Sequence, residues 1–260
     1  MASGLVWSGD DEFSVDGVRY LAEGYVGTKR RSDPEQLRLL KPRAEIEAFV
    51  ARVEAAAPRT IVELGIYHGG STALLAQIAQ PDALVALDLR PECPPLDRFI
   101  ETQGLQGVVA PHYGVDQADA GRLDEIMARE LAGAPVDMVI DDASHLLPET
   151  MASFNRLFPH LRPGGTYVIE DWSWAHSRYV VPPDRYQGVP PLSAFICELV
   201  LAAASRPAVV AEVVVDAGTA VVRRGTRDLD PTRFDISAHF DPVARDMVDR
   251  MSLARTLTQG

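Results

Sequence analysis

Cysteine is almost missing from this chain. Cys93 and Cys197 are the only two, too few for a disulfide framework, and no CxxC pair is present to hold zinc. Long apolar runs are also missing: none reaches the length of a membrane span. The opening residues, Met1-Ala-Ser-Gly-Leu-Val-Trp7, lack the basic and apolar regions of a signal peptide. Lysine occurs only at Lys29 and Lys41, and acids outnumber bases 37 to 25, for a net charge of −12. Such a surface disfavours nucleic acid and anionic membranes as partners. Together these absences predict a cytoplasmic chain with two reduced thiols. Its arginine- and alanine-rich composition suits a GC-rich bacterial genome.

What is present suits one large α/β domain: 260 residues, 47% of them apolar, with no repeat or low-complexity linker. Residues 1–33 show no clear period, and Lys29-Arg30-Arg31 suits either a lid over a site or a solvated turn. A helix is expected from Ser32-Asp33-Pro34 until Pro42 breaks it. Ile46, Phe49, Val50 and Val53 then mark an amphipathic helix. The stretch Thr60-Ile-Val-Glu63-Leu-Gly65-Ile-Tyr67-His-Gly69-Gly70-Ser71-Thr72 reads as a strand, a glycine-rich turn and a helix start. Ser71 or Thr72 is available to cap that helix, and Gly65 and Gly69 allow close backbone approach to a ligand.

Further strands are expected at 84–89 (with Asp88 near its end), 108–113, 138–140, 167–169, 208–215 and 219–223. The last two form a hairpin around Asp216-Ala-Gly218. The expected fold is therefore α/β: a Rossmann-like, doubly wound, seven-stranded sheet with an antiparallel last strand. Residues 1–58 form an N-terminal lid or helical extension, 59–225 the core, and 226–260 a tail with one helix (Val243, Met247, Val248, Met251).

The chemistry concentrates between Val136 and Trp172. Two apolar runs, Met138-Val-Ile140 and Tyr167-Val-Ile169, stop abruptly at Asp141-Asp142 and Glu170-Asp171. Ligands of open α/β sheets bind beyond such strand ends. Several carboxylates plus His145 at one point call for a hard divalent cation. Adjacent strand residues point to opposite faces, so Asp141 and Asp142 serve different roles. Trp172, Trp174 and His176 lie in the aperiodic, proline-rich 172–190 segment and suit a substrate wall; clustered tryptophans are equally often plain core.

The glycine loop itself is selective about cofactors. Tyr67 stands where G-x-G-x-x-G needs its second glycine, and no P-loop motif exists. A nucleoside cofactor without a pyrophosphate, such as S-adenosylmethionine, fits better.

These motifs resemble class I methyltransferases over roughly Thr60 to Arg223: Glu63-Leu-Gly65-x-x-x-Gly69, Asp88 and Leu161-x-Pro-Gly-Gly-x-Tyr167. More narrowly, Ile140-Asp-Asp142-Ala-Ser-His145, Asp116-Gln117-x-Asp119 and Ile169-Glu170-Asp171 resemble the magnesium-dependent sugar O-methyltransferases of macrolide biosynthesis. The resemblance implies S-adenosylmethionine contacts from Glu63, Gly65, Tyr67, Gly69, Ser71, Asp88, Asp116, Gln117 and Asp141. It implies Mg²⁺ ligation by Asp142, Glu170 and Asp171, with His145 as general base. The acceptor would be a small molecule or oligosaccharide carrying a sugar hydroxyl, and the N-terminal segment and tail are candidate homodimer contacts. Cephalosporin hydroxylase-like proteins share parts of the pattern, but an iron site of two histidines and a carboxylate needs a second histidine that this cluster lacks. A non-catalytic binding module on the same fold is the remaining alternative.

Overall fold

The computed structural model describes residues 4–24, 36–176 and 188–240. The chain divides into two compact units, Met1–Gln117 with Glu125–Met138, and Ala118–Asp124 with Val139–Gly260. The larger sheet has seven strands: β5 (Thr60–Leu64), β6 (Ala83–Asp88), β7 (Val109–Tyr113), β8 (Val136–Asp141), β9 (Leu161–Glu170), β10 (Val210–Val215) and β11 (Thr219–Arg224). Their order is β10-β11-β9-β8-β5-β6-β7. β6 pairs in parallel with β5 and β7, whereas β11 runs antiparallel to both β9 and β10. This is the doubly wound, seven-stranded arrangement with an antiparallel last strand that the apolar runs imply.

In the first unit, β5 and β6 are buried nearly throughout, because β-branched and leucine side chains covered on both faces make continuous apolar strands. Helix α1 (Arg43–Ala56) buries Ile46, Phe49, Val50 and Val53, the stripe its periodicity defines. Helix α2 (Gly70–Ala79) follows the glycine turn, and α3 (Pro94–Gln103) begins on two prolines whose missing N–H groups cost nothing in a first turn.

The N-terminal segment differs from expectation. It forms a second sheet, β1 (Val6–Trp7), β2 (Glu12–Val15), β3 (Val18–Ala22) and β4 (Gln36–Leu39), in that order. Val15 pairs with Val18, leaving Asp16-Gly17 as a two-residue turn with φ of 47° and 83°. That left-handed pair matches the twist of a hairpin. Residues 36–39 are a strand parallel to β3 and not the expected helix. Leu37, Arg38 and Leu39 are buried in succession, which a one-faced helix does not allow. Phe13 stacks on Tyr20 at 5.0 Å, and Gln77 of α2 donates to the Val15 carbonyl at 3.1 Å.

In the second unit, helix α5 (Leu147–Leu157) ends just before a 3-10 turn, Phe158–His160, as Pro159 requires. Phe154 packs against Phe158, Tyr167 and Phe195, the last from α6 (Leu192–Ser205). Helix α4 (Ala120–Leu131) precedes β8. The basic cluster at 29–31 and the apolar set from Val243 to Met251 lie outside the described residues. Among the described residues, no helix is long and apolar enough to cross a membrane.

Candidate active site

Three donors converge in the second unit. One atom each from Asp142, His145 and Asp171 lie within 4.8 Å of one another, the one such cluster among the described residues. His145 Nε2 is 3.9 Å from Asp142 Oδ1 and 3.9 Å from Asp171 Oδ2. Asp142 and His145 belong to the segment between β8 and α5, and Asp171 follows β9 directly. His145 and Asp171 are buried, and Asp142 is partly open.

The backbone at this cluster is unusual. His145 and Asp171 hold left-handed conformations, φ 58° and 55°. Non-glycine residues there cost about 1–3 kcal/mol each and persist only where surrounding contacts enforce them. The β10–β11 turn supplies such contacts. Asp171 N–H donates to the Gly218 carbonyl at 2.7 Å, Ser173 Oγ to Ala217 O at 2.6 Å, and Trp172 Nε1 to Asp216 O at 3.0 Å. Asp216 stabilises its own turn by accepting from Gly218 N and Thr219 N.

The other expected site residues of this unit have distinct surroundings. Glu170 is buried at the end of β9 and is not part of the three-donor group. Asp141 is 2% exposed and accepts from Ser153 Oγ at 2.9 Å and Tyr167 OH at 3.0 Å. Burial, and then the Asp141 carboxylate, push the Tyr167 phenol well above its ordinary range, so it stays a donor. The Trp174 ring lies 4.6 Å from the His145 ring. His176 is exposed, with Nε2 2.7 Å from Ser193 Oγ.

The donor set suits Mg²⁺. Octahedral ligands at about 2.1 Å stand about 3 Å apart when adjacent and about 4 Å apart when opposite, so small side-chain shifts would bring Asp142 and Asp171 oxygens onto one ion. The imidazole is a poorer ligand than the carboxylates for so hard a cation.

The glycine loop belongs to the first unit. Glu63, 1% exposed at the end of β5, accepts from Thr72 Oγ1 at 2.5 Å. Asp88 takes the backbone N–H groups of Tyr67 at 2.6 Å and Arg90 at 2.8 Å. Helix α2 is capped by Gly69 without any side-chain bond, so neither Ser71 nor Thr72 is the cap. Gly69 has φ 80°, and a Cβ on it would stand 2.8 Å from Leu96 Cβ; α3 packing therefore demands this glycine. Gly65, with φ 101°, occupies a conformation only glycine adopts easily. Asp116 is exposed and Gln117 buried, ahead of α4. The pattern gives no supporting role to Arg38, Arg90, Ser153 or Tyr167; Asp216-Ala-Gly218 is the expected hairpin turn, and its support of Asp171 is not visible in the pattern.

Residues 62–172 match the methyltransferase domain family. With the seven-stranded order and antiparallel β11, this makes the fold that of the class I S-adenosylmethionine-dependent methyltransferases. The named relatives are O-methyltransferases. The chain is 36% identical over 118 residues to demethylmacrocin O-methyltransferase of Streptomyces fradiae, covering 43% of this chain and 27% of that one. It is 42% identical over 74 residues to mycinamicin VI 2''-O-methyltransferase of Micromonospora griseorubida, covering 23% and 18%. The solved structure of MycE methyltransferase from the mycinamycin pathway, in complex with Mg, SAH and mycinamycin VI, aligns with a TM-score of 0.52 at 25% identity. That alignment covers 69% of this chain and 49% of MycE. The matched stretches thus span about a quarter or less of the curated relatives.

Proposed function

We propose that the chain transfers a methyl group from S-adenosylmethionine to a sugar hydroxyl of a glycosylated small molecule or oligosaccharide, with Mg²⁺ bound beside the acceptor. The observation that carries this reading is the convergence of Asp142, His145 and Asp171 on a methyltransferase fold. Relatives described as acting on rhamnosyl and olivosyl groups support the sugar acceptor.

When bound, S-adenosylmethionine supplies an electrophilic methyl on a sulfonium, and Mg²⁺ acts as a Lewis acid that eases deprotonation of a neighbouring hydroxyl. The protein's part is to hold and to move a proton. Asp142 and Asp171 hold the ion, with Glu170 the third carboxylate one residue away. His145 Nε2, facing both aspartates, takes the hydroxyl proton as general base. The Trp174 ring beside it offers an apolar face to the sugar, with Trp172 and His176 further along the same segment. In the first unit, the loop from Glu63 to Ser71 and the Asp88 carboxylate hold the nucleoside, with Asp116 and Gln117 as further contacts.

The test is a screen of glycosylated macrolides and oligosaccharides with S-adenosylmethionine and Mg²⁺, read by mass spectrometry. A product heavier by one methylene, absent with EDTA and absent for His145→Ala, is expected. Methylation that survives EDTA and His145→Ala would contradict the mechanism.

A further inference from the structure

Tyr67 combines exposure with restraint. Its backbone is left-handed, φ 49°, and 42% of its surface is open. Yet the chain holds it at every polar group. Its N–H donates to Asp88 Oδ2 at 2.6 Å, its carbonyl accepts from Arg90 Nη1 at 2.8 Å, and its phenol oxygen accepts from Arg38 Nη2 at 2.8 Å. The guanidinium carbons of Arg38 and Arg90 lie 5.3 and 5.5 Å from the ring centroid, within cation–π range. The His68 ring stands 4.1 Å away, edge-on. Fixing an exposed side chain costs conformational entropy. The restraint has a use where a ring must already be in place when a ligand arrives.

Arg38 is the unexpected partner. It comes from β4 in the N-terminal sheet and not from the nucleotide-binding elements. It is 3% exposed, and its Nη1 lies 3.4 Å from the buried Glu23. Its carbonyl fills the place a Cβ on Gly70 would take, so β4 lies directly against the first residue of α2. The small sheet therefore meets the glycine loop twice, once by backbone at Gly70 and once by side chain at Tyr67. Both contacts lie within the first compact unit.

We infer that Arg38 is a positioning residue for S-adenosylmethionine. By holding the Tyr67 ring, and with it the backbone N–H that Asp88 receives, the N-terminal sheet sets how tightly the loop binds its cofactor. This rests on the reading above that the Glu63–Ser71 loop binds S-adenosylmethionine. Arg38 itself need not touch the cofactor; it acts through Tyr67. The N-terminal sheet is thus a clamp on the loop.

Calorimetry on the full chain tests this, with S-adenosylmethionine as the probe and with wild type, Arg38→Met, Arg38→Lys, Tyr67→Phe and the Arg38→Met/Tyr67→Phe double variant. Loss of a hydrogen bond to a charged group predicts affinity about tenfold weaker for Arg38→Met and for Tyr67→Phe. The double variant should be no weaker than either single change, because both remove the same contact. Arg38→Lys should recover part of the loss, and Mg²⁺ binding should not change in any variant. Tyr67→Phe removes only an oxygen at a half-exposed ring and leaves the fold intact, so it decides the matter alone if Arg38→Met fails to fold. Tyr67→Phe binding as tightly as wild type, or single effects that simply add, would overturn the inference while leaving the cofactor assignment standing. Failure of the wild type to bind overturns the cofactor assignment and this inference with it.

Discussion

The glycine loop and the acidic cluster are built on opposite plans. At the loop, the polar groups pair with the protein at hydrogen-bonding distance: Glu63 with Thr72, and Asp88 with two backbone N–H groups. At the cluster, His145 stands 3.9 Å from each aspartate, wider than a hydrogen bond, and the turn from β10–β11 holds the Asp171 backbone. The loop groups are tied to neighbouring residues, whereas the three cluster donors lie close enough together to share one ion. Changes at the cluster should therefore act on turnover, and changes at the loop on cofactor affinity.

The largest effect should come from Asp142→Asn. Removing one carboxylate from the proposed Mg²⁺ site should lower turnover by about 10³-fold, several kcal/mol of transition-state stabilisation, while S-adenosylmethionine binds as before. Glu170→Gln should cost less, since Glu170 is outside the three-donor group. Parallel steady-state assays of the two variants check the ranking, and an equal loss would bring Glu170 into the cluster.

His145→Gln should follow, with turnover down by about 10²-fold. Calorimetric affinities for Mg²⁺ and S-adenosylmethionine should stay unchanged. Weakened metal binding in this variant would make the imidazole a ligand and not a base.

Asp216→Ala should act more gently. It removes the bonds to Gly218 N and Thr219 N, and so loosens the turn that holds Asp171. A loss of about 1 kcal/mol and a thermal midpoint lower by about 2–4 °C are expected. Turnover should fall more than cofactor affinity, in line with the division between cluster and loop.

The smallest effect concerns pH. His160 is lowered from its usual value mainly by burial, with Asp124 opposing, and His239 by burial and then by Arg227 and Arg206. The folded protein thus binds these protons less readily than the unfolded chain. Their contribution to stability is complete above about pH 6.5 and is lost as pH falls through that value towards the folded pKa. His160→Gln should flatten the fall in thermal midpoint between about pH 6.5 and 5, where wild type declines. An unchanged slope would place the acid sensitivity elsewhere.

Much of this molecule can be read from its residues. Apolar runs ending at paired acids located β8 and β9, and Gly65 to Ser71 located the loop. Strand pleating separated Asp141, which lies among Ser153 and Tyr167, from Asp142, which reaches the cluster. The same rule says nothing at Glu170-Asp171, because Asp171 has left the strand in a left-handed conformation. The small sheet escaped notice because its strands are two to five residues long, too short for a period to register. Asp16-Gly17 between Val15 and Val18 was the available signal. Arg38 had none: its pairing with Tyr67 joins residues 29 positions apart through tertiary structure alone.

Isothermal titration of Mg²⁺ into the S-adenosylmethionine-loaded protein, for wild type and Asp142→Asn, reads directly whether Asp142 holds the metal. Wild type should give a metal-binding signal that is lost in the variant, with S-adenosylmethionine affinity equal in both. A wild type that binds S-adenosylmethionine but gives no Mg²⁺ signal, or a variant that binds the metal as tightly as wild type, would contradict metal binding by Asp142.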